Sequence, residues 1–275
     1  MITDTDKVLL PIGLEIDGVR YREVIIDEMT GIDEENLTSR KVRNNGAKAI
    51  TMLLRRCIQS IEGVLERKSN PLSLIDEKWV KNMYVADRDF LVLCIRGLSG
   101  DNEIMVSSNC GECGEENNHL VDIKDMDVYE WDENEPAEIN IELIRGFHSP
   151  TTGEYHNKVK WVFPKGKAQE QIASYPEHQV GTYLIASGIK DVEGMPHCPS
   201  AEEVRRLSVR DRNVFAKAIV DNMVGVDTNH SVCCEFCGAD YNVEVSAVGF
   251  SNLGSQTTPK RSNAGISGRR LRKKR

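Results

Sequence analysis

Four cysteines in two identical spacings carry the chemistry that is most open to reading. They lie in Cys110-Gly111-Glu112-Cys113-Gly114 and Cys234-Glu235-Phe236-Cys237-Gly238. Two thiolates three residues apart can grip one ion from a single turn. The Gly that follows can take the left-handed backbone that turns peptide N–H groups toward sulfur. Four thiolates in two such pairs are the donor set of a closed, tetrahedral, structural zinc site. A local zinc ribbon leaves roughly 15–20 residues between its pairs, whereas here 120 separate Cys113 from Cys234. One zinc ion per chain would therefore clasp two distant halves together. Cys233 could also chelate, as Cys233-x-x-x-Cys237, and His119 or His230 could each replace a thiolate. A thioredoxin-like dithiol fits less well, because that motif opens a helix after a strand and each pair here falls between expected strands.

The same spacing shows an internal repeat. Cys110 and Cys234 are 124 residues apart, as are Cys113 and Cys237. That offset also pairs Val80 with Val204, Val85 with Val209, Asp87-Arg88 with Asp211-Arg212, and Ile95 with Ile219. It further pairs Ser107 with Ser231, Gly114 with Gly238, Asn118 with Asn242 and Val121 with Val245. Eleven identities across 76–121 and 200–245 without a gap exceed chance and point to a tandem duplication. The repeat sets Asn109 opposite Cys233, which favours Cys234 as the ligand.

The elements that must position these pairs follow the same plan twice. Leu14-Glu15-Ile16 and Val19-Arg20-Tyr21 flank Asp17-Gly18, a strong short hairpin signal. From Gly46 to Leu65 the apolar residues recur at helical spacing, with Cys57 on the buried stripe. Asp76 can cap a short helix carrying Trp79 and Met83, and a second helix carries Phe90, Leu91, Cys94 and Ile95. Ile104-Met105-Val106 leads as a strand into the first knuckle, and His119 to Ile123 leads out. The second copy opens with a hairpin of Ile139 to Phe147 and Val159 to Phe163. Leu184 to Ile189 then echoes Leu53 to Ile58, and Ser200-Ala201-Glu202-Glu203 is a capping box aligned with Asp76. The Asp87-Arg88 and Asp211-Arg212 pairs read as helix-start caps or ion pairs.

The expected fold is α+β, a duplicated hairpin–helix–zinc-ribbon unit whose halves are joined by the four-Cys site. Residues 1–11 form an N-terminal segment, 12–124 the first repeat and 139–250 the second. Between them 125–138, with seven acids and Pro136, reads as a solvated linker. Residues 251–275 form a basic tail expected to be disordered.

A hydrophobic content of 40% beside 28% charged residues marks a globular chain. No apolar run is long enough to span a bilayer and no signal-peptide pattern begins the chain, so a soluble, unsecreted protein is expected. In such a protein paired C-x-x-C motifs point to metal rather than disulfides. Net charge is −8, but the last 25 residues carry eight Lys/Arg and no acid, which leaves the preceding 250 at −16. Lys260, Arg261, Arg269, Arg270, Arg272, Lys273, Lys274 and Arg275 could bind nucleic acid or an acidic partner face. They lack interleaved aromatics for base stacking, which speaks against sequence-specific recognition. No P-loop, G-x-G-x-x-G, HExxH, G-x-S-x-G or deaminase signature occurs, so no enzyme is expected.

Three features together resemble a known family. They are Leu10-Pro11-x-Gly13-Leu14 before a hairpin, the Asp87-Arg88-Asp89-Phe90-Leu91 helix, and the C-x-x-C-G knuckle. They look like the baseplate hub and hub-assembly family of T-even-type contractile-tailed phages, over most of 10–250. The resemblance implies a structural or chaperone-like role in building the tail baseplate, without catalysis, and other tail and baseplate proteins as partners. It places the chain in the host cytoplasm during assembly and, where it stays in the particle, in the virion. It carries over residues only as metal ligands, at Cys110, Cys113, Cys234 and Cys237. The alternative is a zinc-ribbon nucleic-acid-binding protein that uses the basic tail, against which the acidic body speaks.

Overall fold

In the computed structural model, which describes residues 6–38, 45–67 and 73–245, Asp17 and Gly18 both take positive φ, +50° and +78°. Two successive left-handed residues make a tight turn whose twist suits a hairpin. It joins β1 (Lys7–Ile16) to β2 (Val19–Ile26). After α1 (Gly31–Thr38), α2 (Gly46–Cys57) lays Ile50, Leu53, Leu54 and Cys57 against the core.

The helix expected over Gly46 to Leu65 ends at Cys57, because Ile58–Ile61 form strand β3 on the free edge of β2. Ile58 and Ile61 are three apart and serve a helical stripe on paper. In the fold both are buried from a strand, where their branched side chains pack well. An open edge of β2 offers backbone groups that need partners, and that long-range demand overrides the local period. Strand β4 (Leu65–Glu66) completes a sheet of order β1-β2-β3-β4. Helix α3 (Glu77–Asn82), capped by Asp76, and helix α4 (Val85–Leu98) lead to β5 (Glu103–Asn109) and β6 (Glu116–Asp122).

The second half follows a similar order, with a three-stranded sheet in place of four strands. After the short strand β7 (Val128–Tyr129), β8 (Glu138–His148) and β9 (Tyr155–Val162) form a hairpin. Helices α5 (Gly166–Ile172) and α6 (Glu177–Gly188) follow, and β10 (Ile189–Val192) returns to pair with β9. Helix α7 (Ala201–Arg205) starts in the capping box of Ser200 and Glu203. Helix α8 (Val209–Asp221), β11 (Gly225–Val226), β12 (Asn229–Cys233) and β13 (Asp240–Glu244) complete the described chain. The chain is thus mixed helix and sheet.

The β1–β2 and β8–β9 hairpins each carry a bulge, and each bulge is met by an aspartate. The register of β1 and β2 shifts between Leu9 and Leu14, and that of β8 and β9 between Glu142 and Phe147. Gly13 and Gly146 sit there with φ of +103° and +86°. A Cβ on Gly146 would lie 2.0 Å from the His156 carbonyl oxygen, so only glycine fits. A bulge leaves amides that the ladder cannot satisfy. Asp87, in the first turn of α4, accepts from the Ile12 and Gly13 amides at 2.7 and 3.0 Å. Asp211, in the first turn of α8, accepts from the Ile144 and Arg145 amides at 2.7 and 3.0 Å. These acids are therefore neither plain helix caps nor ion-pair partners; they pin a helix to a distant strand.

The arginines beside them reach another helix. Arg88 donates to Thr51 Oγ1 on α2 at 2.9 Å, and Arg212 to Thr182 Oγ1 on α6 at 3.0 Å. Thr51 and Thr182 stand 131 residues apart, the offset that relates Leu53–Ile58 to Leu184–Ile189.

The halves interlock. The first core includes Val226 and Val245 from the second half, and the second core includes Ile12 and Tyr84 from the first. Val85 donates its amide to the Pro164 carbonyl and Gly166 to that of Met83. Strands β7 and β11 pair as well. Within 125–138, Met126 is buried, Arg20 donates to the carbonyls of Asp132 and Glu135, and Arg22 pairs with Glu130.

Candidate metal centre

Each cysteine pair sits in the turn of a two-stranded hairpin, β5–β6 or β12–β13, and the two turns have one geometry. The Cys110 amide donates to the Glu115 carbonyl and the Gly114 amide to the Cys110 carbonyl, both at 2.9 Å. The Cys234 amide donates to Ala239 and the Gly238 amide to Cys234, also at 2.9 Å. Gly114 and Gly238 take φ of +78° and +73°, which reverses the chain behind the second cysteine of each pair.

The four sulfurs lie within 4.8 Å of one another. The closest approaches run between the turns: Cys110 Sγ is 3.7 Å from Cys237 Sγ, and Cys113 Sγ is 3.6 Å from Cys234 Sγ. Four sulfurs at about 2.3 Å from a tetrahedral zinc would stand about 3.8 Å apart. The spacing and the all-sulfur donor set fit such an ion. Cys110 and Cys234 face inward, and Cys113 and Cys237 close the outer side.

Electrostatics favour a cation at the centre. Burial raises the Cys234 thiol, but the amides of Cys237 and Phe236 outweigh it and hold that thiol near 6. The Ala239 amide lowers the Cys237 thiol, but hydrogen bonds with Cys113 and the other cysteines push it up to about 12. A first thiolate is welcome and the next is opposed, which is what a divalent ion among them would relieve.

Polar contacts hold the hairpins against each other. The Glu235 amide donates to Asn117 Oδ1 at 2.9 Å. Tyr241 Oη lies 3.0 Å from Ser108 Oγ and 2.9 Å from His119 Nε2. His119 is thereby engaged with Tyr241 rather than with the sulfurs. His230 stands opposite Val243 on β12, outside the cluster. Cys233 is exposed, outside the cluster, with its Sγ 3.9 Å from the Cys234 carbonyl oxygen. Tyr241 and Asn117 carry no sequence signal of this role, because neither is repeated at the 124 offset. The basic residues from Lys260 to Arg275 lie outside the described residues. Among the described residues no helix is long and apolar enough to cross a membrane.

A family model described as T4 bacteriophage base plate protein matches residues 20–253, which spans both halves and both cysteine pairs. No curated protein and no solved structure matches the chain.

Proposed function

We propose a function from one premise: the chain belongs to the T4 bacteriophage base plate protein family. Its role is structural, in the tail baseplate, with other phage tail proteins as partners. In our reading it is a non-catalytic hub or hub-assembly component that forms in the host cytoplasm and is stabilised by one zinc ion on Cys110, Cys113, Cys234 and Cys237. Four thiolates would fill a tetrahedral shell and leave no position for substrate or water.

In this reading the chain arose by tandem duplication. Residues 12–124 and 139–250 are the two copies, 125–138 the linker, and 251–275 a separate basic tail. The matched roles of Asp87 and Asp211, and of Arg88 and Arg212, support that origin. The zinc clasp holds the two copies in one orientation, so the surface they share is fixed before a partner arrives. Preorganisation of that kind lowers the ordering cost of docking.

The observation that carries the reading is the family match across both halves. Its test is a phage lacking this gene, complemented with wild-type or Cys234→Ser protein. We expect tails without functional baseplates in electron micrographs when the protein is missing. The variant should lack zinc by native mass spectrometry, capture tail partners poorly, and fail to restore infectivity. Normal infectious particles without the protein would sink the baseplate role. A zinc-free variant that captures its partners fully would sink the clasp alone.

A further inference from the structure

A cleft of about 430 Å³ opens beside the bulge of the β8–β9 hairpin. Arg145 and His148 of β8, Tyr155 of β9, and Arg206 and Ser208 between α7 and α8 form much of its wall. The Arg145 guanidinium lies 4.2 Å from the centre of the Tyr155 ring and donates to its hydroxyl through Nη2. The His148 ring packs tilted against the same tyrosine at 5.0 Å. Tyr155 thus holds Arg145 in place and leaves its Nε and Nη1 for an incoming group. Among the described residues no acid pairs with Arg145. Glu203, the acid on this wall, accepts from the Ser200 amide and hydroxyl at 2.8 Å each, so its charge is already met within α7. Arg206 stands on the surface, 3.6 Å from the exposed Glu202.

The matching corner of the first half is filled. Ser208 is the N-cap residue of α8, as Tyr84, 124 residues earlier, is of α4. Tyr84 is buried in the second core, with the Lys165 ammonium 5.0 Å from its ring centre. The first half therefore uses this corner for its contact with the second. In the second half a small serine stands there, and the corner is a cleft.

We propose that this cleft docks an acidic segment of a partner protein, whose Asp or Glu carboxylates are taken by Arg145 and Arg206. A carboxylate meets a guanidinium fork with two parallel hydrogen bonds. The first 250 residues carry a net charge of −16, a field that repels an extended polyanion such as nucleic acid. A short acidic segment that reaches the two arginines is the better match. Residues 251–275 carry eight Lys/Arg and no acid, so the chain's own tail has the wrong charge for this site.

The inference needs neither the baseplate role nor zinc. Its test titrates labelled hexaglutamate into the full-length chain, followed by fluorescence anisotropy, with hexaglutamine and an oligothymidylate of matched charge alongside. Hexaglutamate should bind and hexaglutamine should not. On binding, hydrogen exchange of the amides in 145–148 and 206–210 should slow, while β5, β6, β12 and β13 exchange as before. Arg145→Ala, which leaves the backbone amide that Asp211 holds, should weaken binding by about tenfold. Arg145→Lys keeps the charge but not the fork and should weaken it less. Binding that survives Arg145→Ala unchanged, or protection confined to other segments, would overturn the assignment, and so would no binding at all. Tighter binding of the oligothymidylate, lost in Arg145→Ala, would make the cleft a nucleic-acid site and overturn it too. Should Arg145→Ala fail to fold, the exchange map of the wild-type chain decides.

Discussion

Arg88 and Arg212 each lie in the first turn of a helix and each reach a threonine, Thr51 and Thr182, yet they do different amounts of work. Arg88 is fully buried and donates to the carbonyls of Val80 and Ala47, to Thr51 and to Gln169, each at 2.9 Å. Gln169 belongs to α5, so the first half uses its arginine to bind the second. Arg212 is half-buried and donates to Thr182 within its own half. The lesson is that the same Asp-Arg pair can keep its local geometry in two places while burial decides its energetic weight. A charge surrounded by fixed acceptors is costly to disturb; the same charge near water is not.

The metal centre should give the largest effect and the least asymmetry. In the proposed zinc site each cysteine would supply one of four ligands, so Cys110→Ser and Cys234→Ser should be equally damaging although they lie in different halves. Structural zinc is worth about 10–16 kcal/mol in small peptides, and much of that should appear in the folding of this chain. Native mass spectrometry and thermal scans with and without chelator check it. Cys233→Ser should match wild type in both. A large loss from Cys233→Ser, or from only one of the two knuckles, would break the equivalence.

The arginines come next and should differ. Arg88→Met leaves several buried acceptors unpaired and is expected to cost at least about 3 kcal/mol. Arg212→Met removes a half-exposed donor and should cost about 1 kcal/mol. Urea unfolding of the two variants measures the gap. Equal losses would mean that depth of burial does not separate the two arginines.

Much of this plan was legible before the fold was known, and its failures have physical causes. The cysteine spacing, the Asp17-Gly18 turn, the Asp76 cap and the Ser200–Glu203 capping box are local signals, and each is found as read. The end of α2 was not legible, because Ile58 and Ile61 satisfy a helical stripe and a strand alike until β2 supplies an edge. The role of Asp87 was hidden for a similar reason. Its partners lie 75 and 74 residues away at a bulge, and no local pattern reports a register shift. Pairing of β7 with β11 was invisible too, since two-residue strands leave no periodicity.

The aspartates give a smaller effect than Arg88 but the sharpest contrast, because their shifts have opposite sign. Neither touches solvent. Burial pushes Asp87 up to about 7, outweighing the amides of Ile12 and Gly13. Burial would raise Asp211 as well, but the Arg145 amide, the Ser208 hydroxyl and the Ile144 amide together hold it below its usual value. Between pH 4 and 7 the folded chain thus keeps a proton on Asp87 that the unfolded chain has lost. Unfolding releases that proton, so stability should fall as pH rises through this window and level off above about 7. The slope is at most about 1.4 kcal/mol per pH unit, or about 2 kcal/mol from pH 5 to 6.5. Asp89, also raised by burial, to about 6, adds a slope of the same sign, so the comparison must be made against variants. Asp87→Asn should flatten the profile between pH 5 and 6.5. Asp211→Asn should lower stability uniformly there, since the contribution of Asp211 is complete above its unfolded value and is lost only as pH falls through the lower folded one. Urea midpoints of the three proteins at four pH values read this out. If Asp87→Asn keeps the full wild-type slope, Asp87 is ionised in the fold and the two halves treat their aspartates alike.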